Sequence, residues 1–432
     1  MKTKLSGRFW LALTLFSLIG QVAWVVENMY FNVFIYNMFR ATPADISAMV
    51  AASSVAAALT TILVGALSDR LGRRKVFICA GYILWGVTIF AFTLLRTDII
   101  GGVFPMAASV SALCVTLTII LDCVMTFFGS SANDAAFNAW LTDSTDASNR
   151  GAAEGINAMM PLVAILAVFG GFMFLDLSKQ SAWQIVFSVI GCVVVFVGIL
   201  GFFLIDEAQI RPSETGYFGN ILYGFRPATV RENRRLYLYL AAFAVFNISI
   251  QIFMPYLIIY YEKSLGMADY VLIMAPAVIL ASVFTALWGK VYDKRGFRFS
   301  ALVSVLLLMA GYVLLFTFRT KLPVFIGSLL MMSGYLSGMA DFGAAIRDHT
   351  PAGMAGRFQG LRIVFQVLIP GFVGPWIGAW VLRDAEYITN SDGTKSFLPN
   401  ANIFLAALIA ALALTPLFIE LYRTKRSRKE NV

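Results

Sequence analysis

Twelve apolar runs, most of them twenty residues or longer, leave this 432-residue chain very few folds. They lie at Phe9–Tyr36, Asp45–Ser68, Val76–Leu95, Ser111–Leu141, Ala152–Leu175, Trp183–Ile205, Leu236–Tyr260, Tyr270–Val291, Ser300–Phe318, Leu322–Ile346, Phe358–Leu382 and Ala401–Leu421. A run of about 20 apolar residues matches the thickness of a bilayer core when helical. Hydrocarbon offers the backbone no hydrogen-bond partner, so each run must satisfy its own peptide groups. The expectation is an all-α membrane protein with twelve transmembrane helices. The fourth run is too long for one perpendicular span at about 1.5 Å per residue. Its outer part, or the preceding segment Thr97–Val110, is expected in the membrane interface.

The net charge of +9 is distributed as an orientation signal. With the N-terminus inside, the inside segments carry 25 Lys and Arg and the outside loops 8. That bias places both termini in the cytoplasm and the chain in the plasma membrane. It also removes the nucleic-acid reading that a basic chain invites. The tail Arg423–Lys429 is basic enough to touch anionic lipid as well. Lys2, Lys4 and Arg8 precede the first run in the manner of a signal peptide. No small-residue cleavage site follows, so the run is read as a retained span. Cys79, Cys114, Cys123 and Cys192 are scattered through spans without CxxC spacing and are read as free core thiols. No metal site and no cofactor are expected beyond a coupling ion, H+ or Na+. No GxxxxGK[ST] loop is present, so the chain brings no ATPase of its own. No nucleophile, base and orienting group come together in the sequence, so it is read as no enzyme.

The apolar pattern breaks at Asp206–Arg235. This gives residues 1–205 as an N-terminal six-helix bundle, 206–235 as a cytoplasmic linker, and 236–432 as a C-terminal six-helix bundle with a basic tail. The outer loop Arg383–Asn400 is polar and is read as a solvated connector.

Polar residues inside spans are tolerated only against protein or a watery cavity. Eleven Asp, Glu, Asn or Gln residues concentrate in every third span. The first holds Gln21, Glu27, Asn28 and Asn32; the fourth Asp122, Asn133, Asp134 and Asn138; the seventh Asn247 and Gln251; the tenth Asp341. At about 100° per residue, Ser17, Gln21, Trp24, Asn28 and Asn32 share one stripe, with Glu27 at its flank. Thr118, Asp122, Thr126, Gly129, Asn133 and Trp140 share another, and Gly334, Ser337, Asp341 and Ala345 a third. Amides and carboxylates bind hydroxyl groups, and a Trp face stacks on the C–H face of a sugar ring. Gln21, Trp24, Asn28, Asn133, Trp140, Asn247 and Gln251 are therefore the candidate substrate-binding residues. Interhelical hydrogen-bonding between spans is the alternative for any single amide. A carboxyl out of water favours its neutral form and can take up and release a proton. Glu27 and Asp122, then Asp134 and Asp341, are the candidate coupling groups. His349, the only histidine, is read as a solvated loop residue.

Two loops repeat. Gly65, Asp69 and Gly72 recur as Gly289, Asp293 and Gly296 at an offset of 224; Asp143, Thr145, Gly151 and Gly155 recur as Asp348, Thr350, Gly356 and Gly360 at an offset of 205. The chain is a duplication, and its bundles are expected to be pseudo-symmetric. The segment Gly65-Ala-Leu-Ser-Asp69-Arg70-Leu-Gly72-Arg73-Arg74-Lys75 resembles the signature loop of the major facilitator superfamily, between its second and third helices. That resemblance implies alternating access by two rocking bundles. It implies a switch in which Asp69 sits at the N-terminus of the eleventh helix, around Gly356–Arg357, with Arg70 and Arg73 closing the inside face. Asp293 and Arg295 would form a weaker second latch. Gly20-Gln21-Val-Ala-Trp24 resembles a segment of sucrose-type transporters, and Asp143–Gly151 resembles a loop of the glycoside-pentoside-hexuronide cation symporters. The second span lacks the deep acidic residues of melibiose-type members, which favours H+ over Na+.

The expected function is secondary active transport of a small polar solute, a sugar or glycoside, by a monomer in the lipid bilayer. The alternatives are an efflux transporter of drugs or amphipathic compounds, and a transporter-like sensor that moves nothing.

Overall fold

The apolar runs fold as helices with ordinary end signals. The computed structural model describes residues 5–146, 149–207, 223–351, 355–390 and 393–423. Ser6 caps the first helix, α1 (Gly7–Phe39), by accepting from the Phe9 N–H at 3.1 Å. Thr42 and Asp45 form a reciprocal capping box at α2 (Pro43–Leu71), with Pro43 at its first position. Then come α3 (Lys75–Leu94), α4 (Val110–Asp143), α5 (Arg150–Phe172) and α6 (Gln180–Leu204). A short helix, Thr97–Val103, precedes α4, whose own run from Val110 to Asp143 is continuous.

The second half holds α7 (Arg234–Ser264), α8 (271–295), α9 (297–317), α10 (Lys321–His349), α11 (355–381) and α12 (Asn402–Arg423). α8 and α9 belong to one 47-residue helical run, Val271–Thr317, broken only by Gly296 at φ 71°, ψ 175°. Split there, the described residues contain twelve helices of membrane length, as the twelve apolar runs require. Two short strands, β1 (Tyr387–Thr389) and β2 (Lys395–Phe397), pair in the segment between α11 and α12.

Two compact units divide the chain: Met1–Ile221 with Ser391–Ser396, and Leu222–Asn390 with Phe397–Val432. Residues 208–222 of the expected linker lie outside the described residues, as do Lys425, Arg426, Arg428 and Lys429 of the tail. The duplication is visible in the backbone. Gly72 ends α2 with φ 62°, and its counterpart Gly296 ends α8 with φ 71°. Both are conformations in which a side chain is strained. Thr145 donates to the Leu141 carbonyl at 2.8 Å, and its counterpart Thr350 donates to the Ile346 carbonyl at 2.7 Å.

Four of the spans contain a π-helical turn among the described residues. Val26–Tyr30 in α1, Ser130–Phe137 in α4, Tyr260–Ser264 in α7 and Val364–Leu368 in α11 are π-helical turns. Each fits an extra residue into the turn, which rotates everything beyond it relative to a plain α-helix.

Candidate functional site

Gly20 opens the site in the first unit. A side chain there would collide with the Asn133 amide and the Tyr82 hydroxyl, so Gly20 lets α1 close on α3 and α4. The gap is spanned by a chain of hydrogen bonds. Trp24 Nε1 donates to Asn133 Oδ1 at 3.3 Å, Asn133 Nδ2 to the Tyr82 hydroxyl at 2.7 Å, and that hydroxyl to the Phe16 carbonyl at 2.7 Å. Trp24 packs on Trp85 with ring centroids 4.9 Å apart. Trp24 stays half-buried, with Gln21 half-buried and Asn28 exposed beside it on α1. Trp24 and Asn133, expected on separate stripes, are therefore bonded to each other, and Tyr82, which no sequence signal marked, extends the chain beyond Asn133.

A second cluster lies where the π-helical turn of α1 meets α4. Thr126 donates its hydroxyl to Glu27 Oε1 at 2.8 Å. Asp122 stands one helical turn from Thr126, and both are 1% exposed, against 7% for Glu27. Three oxygens here are enclosed without any hydrogen-bond donor among the described residues: Glu27 Oε2, Asp122 Oδ1 and Asn32 Oδ1. Asn32 spends its amide nitrogen on the Asn28 carbonyl, at 3.3 Å. No Lys or Arg among the described residues forms an ion pair with Glu27 or Asp122. Further along α4, Asp134 accepts from Ser130 at 3.0 Å and is half-buried, while Asn138 is exposed. Glu27, expected at the flank of its stripe, faces α4 directly. The two enclosed carboxyl groups, short of donors, form an arrangement that takes up positive charge.

The signature loop is braced inside its own unit. Arg74, 5% exposed, pairs through Nε with Asp143 Oδ2 at 3.1 Å and bonds the Ser68 hydroxyl. Glu207 accepts from the backbone N–H groups of Arg74 and Lys75, placing a carboxylate on the N-terminus of α3. Arg8 pairs with Asp206 at 3.3 Å. Arg70 and Arg73 are exposed, and Gly65 faces Ala135 of α4. The side chains of Asp69, Gly356 and Arg357, on which the expected latch rests, lie outside the described residues. Arg74, the most enclosed cation of the loop, was not among the expected switch residues. Its counterpart Arg298 bonds the Tyr422 carbonyl at 2.6 Å instead, and Asp348 accepts from the Tyr292 hydroxyl at 3.0 Å. Asp293 and Arg295 are exposed, with Arg295 over the Phe299 ring at 5.5 Å.

Three expectations are corrected by packing. Trp140 does not join Trp24. It is 2% exposed, stacks between Phe9 and Phe137, and donates to the Asp206 carbonyl at 3.1 Å. Its stripe ends in the bundle's packed end. The tenth-span stripe is also interior: Ser337 and Asp341 are 0% and 1% exposed, and Gly334 lies against the α9 backbone. Asp341 accepts from Ser304 at 2.7 Å and from Trp288 at 3.3 Å, tying α10 to α9 and α8. His349 is no solvated loop residue. It closes α10, bonds the Ala345 carbonyl at 2.7 Å and stacks on Tyr239 with centroids 4.4 Å apart.

Also in the second unit, Asn247 is 7% exposed and donates back to the Phe243 carbonyl at 2.9 Å. Gln251 packs against Gly374 of α11. The four cysteines are free; Cys79 and Cys114 are buried, Cys123 is half-buried, and Cys192 is exposed rather than in the core. Among the described residues no three His, Cys, Asp or Glu side chains converge as metal ligands.

Residues 9–375 match the family model of the Major Facilitator Superfamily. A search of curated protein sequences returned no match. Solved structures with the same fold include the nucleoside transporter NupG (TM-score 0.70, 12% identity, 95% of this chain and 98% of that one). A bacterial homologue of the human lysosomal transporter Spinster, inward-facing and unoccupied, matches with TM-score 0.69 and 14% identity over 98% of both chains. The xylose transporter XylE from E. coli, partially occluded and inward open, matches with TM-score 0.65 and 13% identity over 95% of this chain and 99% of that one. With a family match over most of its length, twelve membrane-length helices and a braced signature loop, the chain belongs to the major facilitator superfamily and is a multi-pass membrane transporter, not an enzyme.

Proposed function

We propose that this transporter moves a small polar solute, a sugar or glycoside, by alternating access coupled to protons. The observation that carries the coupling is the Glu27–Thr126–Asp122 cluster: two enclosed carboxyl groups with one hydroxyl donor and, among the described residues, no basic partner. Buried acceptors without donors are costly, and a proton shared by the two groups supplies the missing donor. Sodium would meet the same need with the same oxygens, and is the second choice of ion. The polar solute is supported by the Trp24–Asn133–Tyr82 chain and its neighbours Gln21 and Asn28, which offer one aromatic face beside amides. The distribution of Lys and Arg supports cytoplasmic termini, and the plasma membrane is the proposed location.

The test is uptake into proteoliposomes of a panel of labelled mono- and disaccharides. Each is measured with an inward proton gradient, with an inward sodium gradient, and with neither. Accumulation of one sugar above equilibrium only with the proton gradient supports the reading. The sodium gradient replacing it changes the ion and keeps the solute. No flux of any sugar under the three conditions sinks the sugar reading and makes efflux of amphipathic compounds the leading one.

A further inference from the structure

Arg362 is the single charged residue in the apolar stretch Gly360–Val381 of α11. It sits two residues before the π-helical turn Val364–Leu368 and is half-buried. Its Nε donates to Gln366 Oε1, a neutral acceptor on that turn, at 3.1 Å. Its Nη2 reaches α10, where a β-carbon at Gly343 would stand 3.7 Å away. Among the described residues no carboxylate pairs with it. Residues 362–369 are all partly open, so this stretch of α11 is not sealed in packing.

A guanidinium inside a span is expensive and normally finds an anion. Its planar fork fits the paired oxygens of a carboxylate or phosphate. Here one side of the fork is fixed by Gln366, which sets the orientation, and among the described residues no hydrogen bond takes up the terminal nitrogens. We infer that Arg362 recognises an oxyanion, a carboxylate or phosphate carried by the transported solute, with Gln366 as the residue that positions it. This rests on the proposal that the chain carries a polar solute, and narrows it to an acidic one. An anionic lipid headgroup offers the same chemistry, and the test separates the two.

The protein is purified whole into nanodiscs of phosphatidylcholine. Binding of glucose, glucuronate, glucose 6-phosphate and inorganic phosphate is measured by calorimetry for wild type, Arg362→Gln and Gln366→Glu. The expected result is that the two acidic sugars bind about tenfold tighter than glucose in wild type, as a charge-assisted fork contact should give. Arg362→Gln erases that preference. Gln366→Glu erases it too, because it places a carboxylate beside the guanidinium, and it does so without removing the half-buried arginine. Equal binding of acidic and neutral sugars, or a preference that survives both substitutions, overturns the inference and leaves the sugar reading standing. Arg362-dependent binding of phosphate with no sugar bound keeps the inference and removes the sugar. Binding of none of the four overturns both. A gain in melting temperature from phosphatidylglycerol that needs Arg362, with no response to soluble anions, assigns the arginine to lipid and overturns the inference.

Discussion

Thr126 on α4 gives its hydroxyl hydrogen to Glu27 on α1, and among the described residues that is the one hydrogen bond the Glu27 carboxyl has. Its polar neighbours Asp122 and Asn32 bring further enclosed acceptors rather than donors. Thr126→Val should therefore destabilise the protein by about 1–3 kcal/mol, the cost of leaving a buried acceptor unsatisfied. Coupled uptake should fall with it. Glu27→Gln and Asp122→Asn should each abolish accumulation against a gradient while leaving downhill equilibration of the solute. Full gradient-driven accumulation by both variants would remove these two residues from the coupling.

Arg74 and Asp143 predict an asymmetry between the halves. Asp143→Asn leaves an enclosed guanidinium without its counter-charge. The expected cost is roughly 3 kcal/mol, the lower end for a broken buried pair because the Asp143 side chain is 30% exposed. Asp348→Asn removes a charge but keeps an amide oxygen to accept from the half-buried Tyr292 phenol, and should cost within about 1 kcal/mol. Thermal melting of the two purified variants gives the comparison directly. Equal shifts would mean that the halves are braced alike.

The two chain reversals differ in how strictly they need glycine. Gly72 has φ 62° and ψ 23°, a left-handed conformation that other residues enter at a cost of about 1 kcal/mol. Gly296 has φ 71° and ψ 175°, a region reserved for glycine, where a side chain costs of order 1–3 kcal/mol. Gly296→Ala should lower the melting temperature more than Gly72→Ala does. The reverse order would show that the α8–α9 corner relaxes.

Asn133 and Trp140 lie on the same expected stripe of α4 and should behave differently. Asn133→Ala unpairs both the Trp24 indole and the Tyr82 phenol. It should raise KM for the solute by about tenfold, equivalent to about 1.4 kcal/mol. Trp140→Phe keeps the stack on Phe9 and Phe137 and loses only the bond to the Asp206 carbonyl. Its KM should stay at the wild-type value while stability drops slightly. A large KM change for Trp140→Phe would return that residue to the solute site.

The architecture was legible because its causes are local. Apolar length fixed the twelve helices; the repeated Gly72 and Gly296 both take positive φ, and Thr145 and Thr350 make the same bond to the carbonyl four residues back. Trp24 and Asn133 were legible as separate candidates on their stripes, but the bond between them was not. Glu27 was legible as a flanking carboxyl, but its contact with Thr126, across a turn that is not α-helical, was not. Trp140 was misjudged because its partner, Asp206, comes from a distant part of the sequence. Arg362 was counted among the loop charges that orient the chain. Its one neutral partner and its reach to Gly343 appear only once α10 and α11 are side by side.

The π-helical turn at Val26–Tyr30 also has a history written in it. Such a turn is what remains when one residue is inserted into a helix and the surrounding packing holds the ends in place. Deleting one residue there should restore an even α-helix and swing Glu27 or Asn32 away from α4. In any relative that never gained the insertion, the best alignment with this chain carries a one-residue gap inside the first span. Without that gap, Glu27 is set against a residue of another face, and the ancestry of the acidic pair is misread.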